Sequence, residues 1–186
     1  MIKVHTARFE DIRKFTRSAN YCVTIEWIYL ERQIESESTQ HGAKLDLEPD
    51  FQRAHVWDMN KRARYVEYIL RNGQSARDIY FNCAGWMQDF RGPYVCVDGK
   101  QRIEAVRSFM RNDFPVFFPE FGGETYFGDF TDRLRGAHCY FNWHVNDLAT
   151  RAEVLQWYLD MNSGGVLHTP AELNRVRKLL NQEETK

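Results

Sequence analysis

The chain has 186 residues, of which 43% are hydrophobic and 15% aromatic, and its formal charge is −1. Length and apolar content fit one globular domain over residues 1–186 with a packed core, and they exclude a disordered chain. The near-neutral balance excludes a uniformly basic nucleic-acid coat protein but leaves room for a local basic patch.

No apolar run approaches the length needed to cross a membrane. Met1-Ile2-Lys3-Val4-His5 leads into charged sequence with no signal-peptide core, so a cytoplasmic protein is expected. Cys22, Cys83, Cys96 and Cys139 are far apart and lack any C-x-x-C spacing, which reads as buried, reduced thiols rather than a zinc site.

Residues 7–18 place Phe9, Ile12 and Phe15 on one side of an amphipathic helix. Asn20 to Val23 is briefly extended. Thr24 then caps a helix with Ile25, Ile28 and Arg32 that runs to about Ile34, and the polar stretch from Glu35 to Gly42 reads as an exposed loop. Leu45-Asp46-Leu47 alternates as a short strand, and Pro49 blocks a helix after it. A helix begins at Asn60, puts Tyr65, Val66 and Ile69 on one face and stops at Asn72-Gly73. Its first turn holds Lys61, Arg62 and Arg64, cations at the unfavourable end of the helix dipole. A bound anion or the Asp58 carboxylate would relieve them, and a solvated basic face accounts for them too.

Ile79 to Cys83 is a strand, Gly85 to Gly92 a turn, and Tyr94 to Val97 a second strand. Asp98-Gly99 bends into a helix from Lys100 to about Met110, with Ile103, Val106 and Met110 facing inward. Phe114 to Phe118 is a short aromatic segment, and Tyr126 to Phe130 and Cys139 to Val145 read as weak strands. Thr150-Arg151-Ala152-Glu153 is a capping box for a helix that stops at Asn162-Ser163-Gly164-Gly165. Thr169-Pro170-Ala171-Glu172 starts a last helix with Leu173, Val176, Leu179 and Leu180 as its apolar stripe.

The stretch Asp98-Gly99-Lys100-Gln101-Arg102 concentrates chemistry. A strand that turns at glycine into a helix leaves backbone N–H groups aimed at whatever lies over the turn. Lys100, Gln101 and Arg102 add two cations and an amide, a combination suited to phosphate, and Asp98 could hold a divalent cation on the same phosphates. Such a junction also serves as a plain connection in many α/β proteins. Two more polar clusters sit at element boundaries, Asp50-Phe51-Gln52-Arg53 and Asn162-Ser163-Gly164-Gly165. A turn with Arg53 in a salt bridge and a glycine helix stop are their purely structural accounts.

In order, Pro49-Asp50-Phe51-Gln52-Arg53 with Val56-Trp57, then Val97-Asp98-Gly99-Lys100-Gln101-Arg102, then Met161-Asn162-Ser163-Gly164-Gly165 before a capped helix, resemble the N-terminal domain of the GmrSD-type restriction endonucleases over about residues 24–180. That family is similar in fold to the ParB N-terminal domain and to sulfiredoxin. The resemblance implies an α+β fold, a small mixed β-sheet flanked by helices, with further helices at the C-terminus. It also implies an NTP-binding and, in some members, NTP-hydrolysing site tied to DNA restriction and anti-phage defence.

The family's Asp-Gly-Gln-Gln-Arg signature falls on Asp98, Gly99, Lys100, Gln101 and Arg102, and Gly99, Arg102 and Ala105 resemble the ParB phosphate motif. Its Gln-Arg pair falls on Gln52 and Arg53. The resemblance thus implies a nucleotide held by Gln52, Arg53, Gly99, Lys100, Gln101, Arg102, Asn162, Ser163 and Gly164. Asp98, Gln101 and Arg102 form the implied catalytic set, with Asp98 as ligand of a magnesium ion. Lys100 stands where the family usually has Gln, which bears on hydrolysis while keeping attraction for phosphate. Ala54-His55 replaces the usual Pro and aromatic pair. Larger relatives continue into a helical region and a His-Asn-type nuclease domain, and no such nuclease motif is seen in this sequence. His55 beside Trp57 reads better as a packed residue than as a base, and His138, His144 and Cys139 show no metal spacing.

Three functions follow as expectations. The first is an NTP-binding and NTP-hydrolysing module acting with DNA or with a partner protein such as a nuclease subunit. The second is a stand-alone metal-dependent DNA endonuclease. The third is a non-catalytic regulator or decoy that keeps the fold. DNA would meet a patch of Arg62, Arg64, Arg107 and Arg111, and a homodimer is a further option; no membrane partner is expected.

Overall fold

The computed structural model describes residue 8 and residues 21–40, 45–52, 57–86, 88–90, 92–132, 134, 138–163 and 170–185. Among these the fold is α+β. A mixed sheet is built from β1 (Tyr21–Glu26), β2 (Leu45–Asp46), β3 (Asp78–Cys83), β4 (Tyr94–Asp98) and β7 (Tyr140–Asn146), in the order β1-β7-β3-β4-β2. β3 runs parallel to β7 and antiparallel to β4, while β2 runs parallel to β4. A two-stranded sheet pairs β5 (Val116–Phe118) with β6 (Gly123–Thr125). The helices are α1 (Leu30–Gln40), α2 (Met59–Leu70), α3 (Lys100–Met110), α4 (Arg151–Ser163) and α5 (Pro170–Glu184). No helix among the described residues is long and apolar enough to cross a membrane.

The two sheet faces carry different cores. One holds Ile25, Ile79, Phe81, Cys96, Phe141 and Trp143, packed with Val66 and Ile69 of α2 and Ile103, Val106 and Phe109 of α3. Phe81 and Trp143 stack at 4.0 Å between ring centroids, and the Trp143 indole N–H donates to the Tyr94 hydroxyl over 2.8 Å. The other face buries Val95 and Val97 against Phe51 and against Leu155, Trp157 and Tyr158 of α4 and Val176 and Leu180 of α5. β4 is therefore apolar on both sides, with Tyr94 through Val97 all buried.

Local signals set most helices. Asp58 caps α2 by accepting from the Lys61 N–H over 2.8 Å, and that carboxylate is the counter-charge its basic first turn asked for. Thr150 and Glu153 form the capping box of α4, the Glu153 N–H donating to the Thr150 hydroxyl over 3.2 Å and the Thr150 N–H to the Glu153 carboxylate over 3.1 Å. α2 stops with Asn72 at φ 63°, the left-handed conformation asparagine tolerates.

Several expectations are corrected. Thr24 is no helix cap: Val23, Thr24 and Ile25 lie in β1, every residue of which pairs with β7, and β-branched side chains suit that pleated surface. The helix starts later, as a short 3-10 turn over Trp27–Tyr29 followed by α1. The polar stretch from Glu35 belongs to α1 as far as Gln40, where Ser38 and Thr39 hydroxyls return to the Ile34 and Glu35 carbonyls. Tyr126 to Phe130 is not a strand; a 3-10 turn over Phe127–Asp129 sits there, fixed by the Asp129 carboxylate accepting from the Tyr126 N–H. Cys22 is exposed, unlike the buried Cys83, Cys96 and Cys139. The expected helix over residues 7–18 and the Thr169 cap lie outside the described residues, Arg8 excepted.

Candidate functional site

The β4–α3 junction demands glycine. Gly99 has φ 112°, and a Cβ built on it would lie 2.5 Å from Cγ2 of Ile79 and 3.1 Å from that residue's backbone Cα. The Ile103 N–H donates to the Gly99 carbonyl over 2.9 Å, which opens α3. Gly99, at the N-cap, has no side chain to cap this helix and the first turn holds no acid, so cations, Lys100 and Arg102, stand at its positive end.

Each of those cations is held by a carboxylate. Lys100, only 7% exposed, reaches Glu48 over 2.9 Å. Arg102 pairs with Asp98 over 2.6 Å with its side chain 19% exposed, and its buried Nε has no hydrogen-bond partner among the described residues. Burial pushes the Arg102 guanidinium pKa down, but Asp98 outweighs it and the net shift is upward, so the group stays charged.

The loop before α2 is tied to the same junction. The Gln52 side-chain amide donates to the Cys96 carbonyl over 2.6 Å, and the Trp57 N–H donates to the Gln101 side-chain oxygen over 3.1 Å, each across 44 residues of sequence. Gln52, Asp98, Gly99, Lys100, Gln101 and Arg102 thus form one neighbourhood. Arg53, His55 and Gly164, and the side chain of Ser163, lie outside the described residues. Asn162 donates its amide to the Tyr158 carbonyl over 2.7 Å, inside its own helix. Burial, followed by Asp98, pushes the Cys96 thiol up to about 12, which removes it as a nucleophile.

Two arginines of the expected basic patch, Arg107 and Arg111, pair with carboxylates. Arg107 bonds Glu31 and Glu104, and Arg111 bonds Asp113. Arg62 and Arg111 both donate to the buried Ser108 hydroxyl, over 3.2 and 3.1 Å.

A second polar group was not foreseen. Thr24 on β1, Asn142 and His144 on β7, and Asp78 and Tyr80 on β3 share the sheet face that α4 and α5 cover at β3 and β4. His144 Nε2 lies 2.9 Å from an Asp78 carboxylate oxygen, which also accepts from the Asn142 amide over 3.0 Å. The Tyr80 and His144 rings stack at 4.7 Å, with Trp157 edge-on to Tyr80 at 6.1 Å. Burial pushes the Asp78 carboxyl up, yet the hydrogen bonds from His144 and Asn142 outweigh it and the net shift is downward. Burial raises the Tyr80 phenol, as do Asp78 and Asp98, against Arg102, so this group lies within electrostatic reach of the α3 start.

Cys22 Sγ is 3.8 Å from His144 Nε2, which suggests a Cys-His-Asp relay. The geometry refuses it. One ring nitrogen faces both Cys22 and Asp78, whereas a relay needs one nitrogen for each. Burial and Asp78 also raise the Cys22 thiol pKa and keep it protonated. Among the described residues no three His, Cys, Asp or Glu side chains are grouped to hold a metal ion. The sequence signal for this face was the alternation Asp78-x-Tyr80 and Asn142-x-His144, but its meaning depends on the parallel register that sets Tyr80 opposite His144.

No protein-family model, no curated protein and no solved structure matches the chain.

Proposed function

We propose that the chain is a nucleotide-binding module that takes the phosphates of an NTP at the start of α3 and hydrolyses it in association with DNA restriction or anti-phage defence. The observation that carries the reading is the joining of two distant motifs, through Gln52 to Cys96 and Trp57 to Gln101, around a helix start whose N-cap is a glycine. The positive end of a helix is suited to an anion. Arg102 adds a permanent charge with a planar fork of donors.

Phosphoryl transfer asks mainly for positioning and charge neutralisation. Arg102 and the α3 backbone serve the second. Gln101 and Gln52 serve the first, since they lock the loop to the junction. A magnesium ion bound through substrate phosphates needs only one or two protein carboxylates, and Asp98 fits that requirement. It would supply further neutralisation of the phosphate charge. The role in defence rests on the sequence resemblance alone.

A second reading is favoured by the internal pairing of Lys100 with Glu48 and Arg102 with Asp98. Cations engaged in this way suit a module that binds nucleotide without turnover, as a regulator. Thermal-shift measurements with ATP, GTP, CTP and UTP, with and without magnesium, test the shared claim, because a ligand of the native state raises the melting temperature by mass action. Binding predicts a shift for at least one nucleotide, and none at millimolar concentration refutes it. Steady phosphate release that Arg102→Ala abolishes separates the hydrolase from the regulator.

A further inference from the structure

We infer that Arg175, on α5, is a positioning residue of this site, fixing the backbone turn that delivers Gln52. The inference rests on the nucleotide reading above. One Arg175 Nη donates to the Asp50 carbonyl over 2.7 Å, and the other donates to the Phe51 and Gln52 carbonyls over 2.9 and 3.0 Å. Three successive carbonyls converge on one guanidinium because the chain curls there, with the Gln52 N–H donating to the Pro49 carbonyl over 2.9 Å. Backbone carbonyls turned out of secondary structure need donors, and a guanidinium supplies several in one rigid plane.

The side chains of the turn are held by other elements. Arg151 of α4 donates to both Asp50 carboxylate oxygens at 2.8 Å. The buried Phe51 ring lies edge-on to Tyr158 at 5.4 Å. Gln52 reaches β4 through Cys96. Arg175 alone among these contacts grips the main chain at all three residues, so the last helix sets the path of the backbone from Asp50 to Gln52. It is exposed, whereas Val176 and Leu180 supply the buried packing of α5. Its work is thus separable from the stability of the helix. Lysine cannot reproduce it, since an ammonium is a single centre and not a fork.

The test uses the 186-residue chain as Arg175→Ala, Arg175→Lys and, as control, Arg177→Ala, whose arginine bonds Asn174 on its own helix. Exchange of the Gln52 amide proton is read by NMR without nucleotide, and affinity is then titrated with each of ATP, GTP, CTP and UTP plus magnesium. Arg175→Ala is expected to speed Gln52 exchange and to weaken affinity about tenfold, in the range seen for residues that act through a neighbour. Arg175→Lys restores part of both, and Arg177→Ala changes neither. Unchanged exchange in Arg175→Ala, or faster exchange with full affinity, overturns the inference while leaving the nucleotide site standing. A wild-type chain that binds none of the four overturns the nucleotide reading, and the inference falls with it. Should Arg175→Ala not fold, Arg175→Lys carries the same two readouts.

Discussion

The Gln52 amide reaches the Cys96 carbonyl over 2.6 Å, fastening the loop ahead of α2 to the strand that ends at Asp98. The bond has a direction, since Gln52 donates and Cys96 accepts. Gln52→Ala removes it and should cost about 1 kcal/mol. Gln52→Glu sets a carboxylate oxygen against a carbonyl oxygen and should cost more. Urea unfolding at neutral pH ranks the two, and equal stabilities would deny the bond its place.

Gly99 is the residue on which the junction turns. Gly99→Ala forces a left-handed backbone and drives a methyl into Ile79, so it should destabilise by about 2 kcal/mol or more. Gly123 has nothing within 4 Å of an added Cβ, and Gly123→Ala is expected to be close to neutral. Paired denaturation curves check both.

Tyr94 carries the partner of the buried Trp143 indole N–H. Tyr94→Phe leaves that donor without its acceptor in the apolar core and should cost about 1–3 kcal/mol, with the fold retained. A thermal midpoint equal to wild type would contradict this.

The helices α2, α3 and α4 were legible because their signals are local: Asp58 and Thr150 as caps, a glycine before Lys100, apolar residues at helical spacing. Thr24 misled because a threonine ahead of apolar residues is also what a strand edge looks like, and only the pairing with Asn142 decides. The cluster of Gln52 with Asp98–Arg102 was expected only through the family resemblance, since nothing local joins residues 44 apart in sequence. The pairing of Lys100 with Glu48 was not, since nothing local brings the end of β2 beside the α3 start. The Asp78–His144 group was equally hidden, because strands far apart in sequence must first be set side by side in parallel.

Asp78 yields a pH prediction. Its folded pKa lies below the ordinary aspartate value, so its contribution to stability is full above that range and is lost as pH falls through the folded pKa. The side chain is 47% exposed, which limits the contribution to about 1 kcal/mol or less. Wild type should therefore exceed Asp78→Asn in stability at neutral pH, and the gap should be narrower at about pH 3, below the ordinary aspartate value. Urea titrations at both pH values read it, and a gap that widens in acid would be the wrong sign.

The account turns on phosphate at the start of α3, and Arg102 is the side chain that tests it. Titration calorimetry of the four NTPs with magnesium should show saturable binding of at least one to the wild-type chain. Arg102→Ala should weaken that binding at least about tenfold, the loss expected for a charge-assisted contact, while Arg111→Ala, bonded to Asp113 and Ser108 instead, should bind as wild type does. No saturable heat with any nucleotide, or full affinity in Arg102→Ala, would contradict the account.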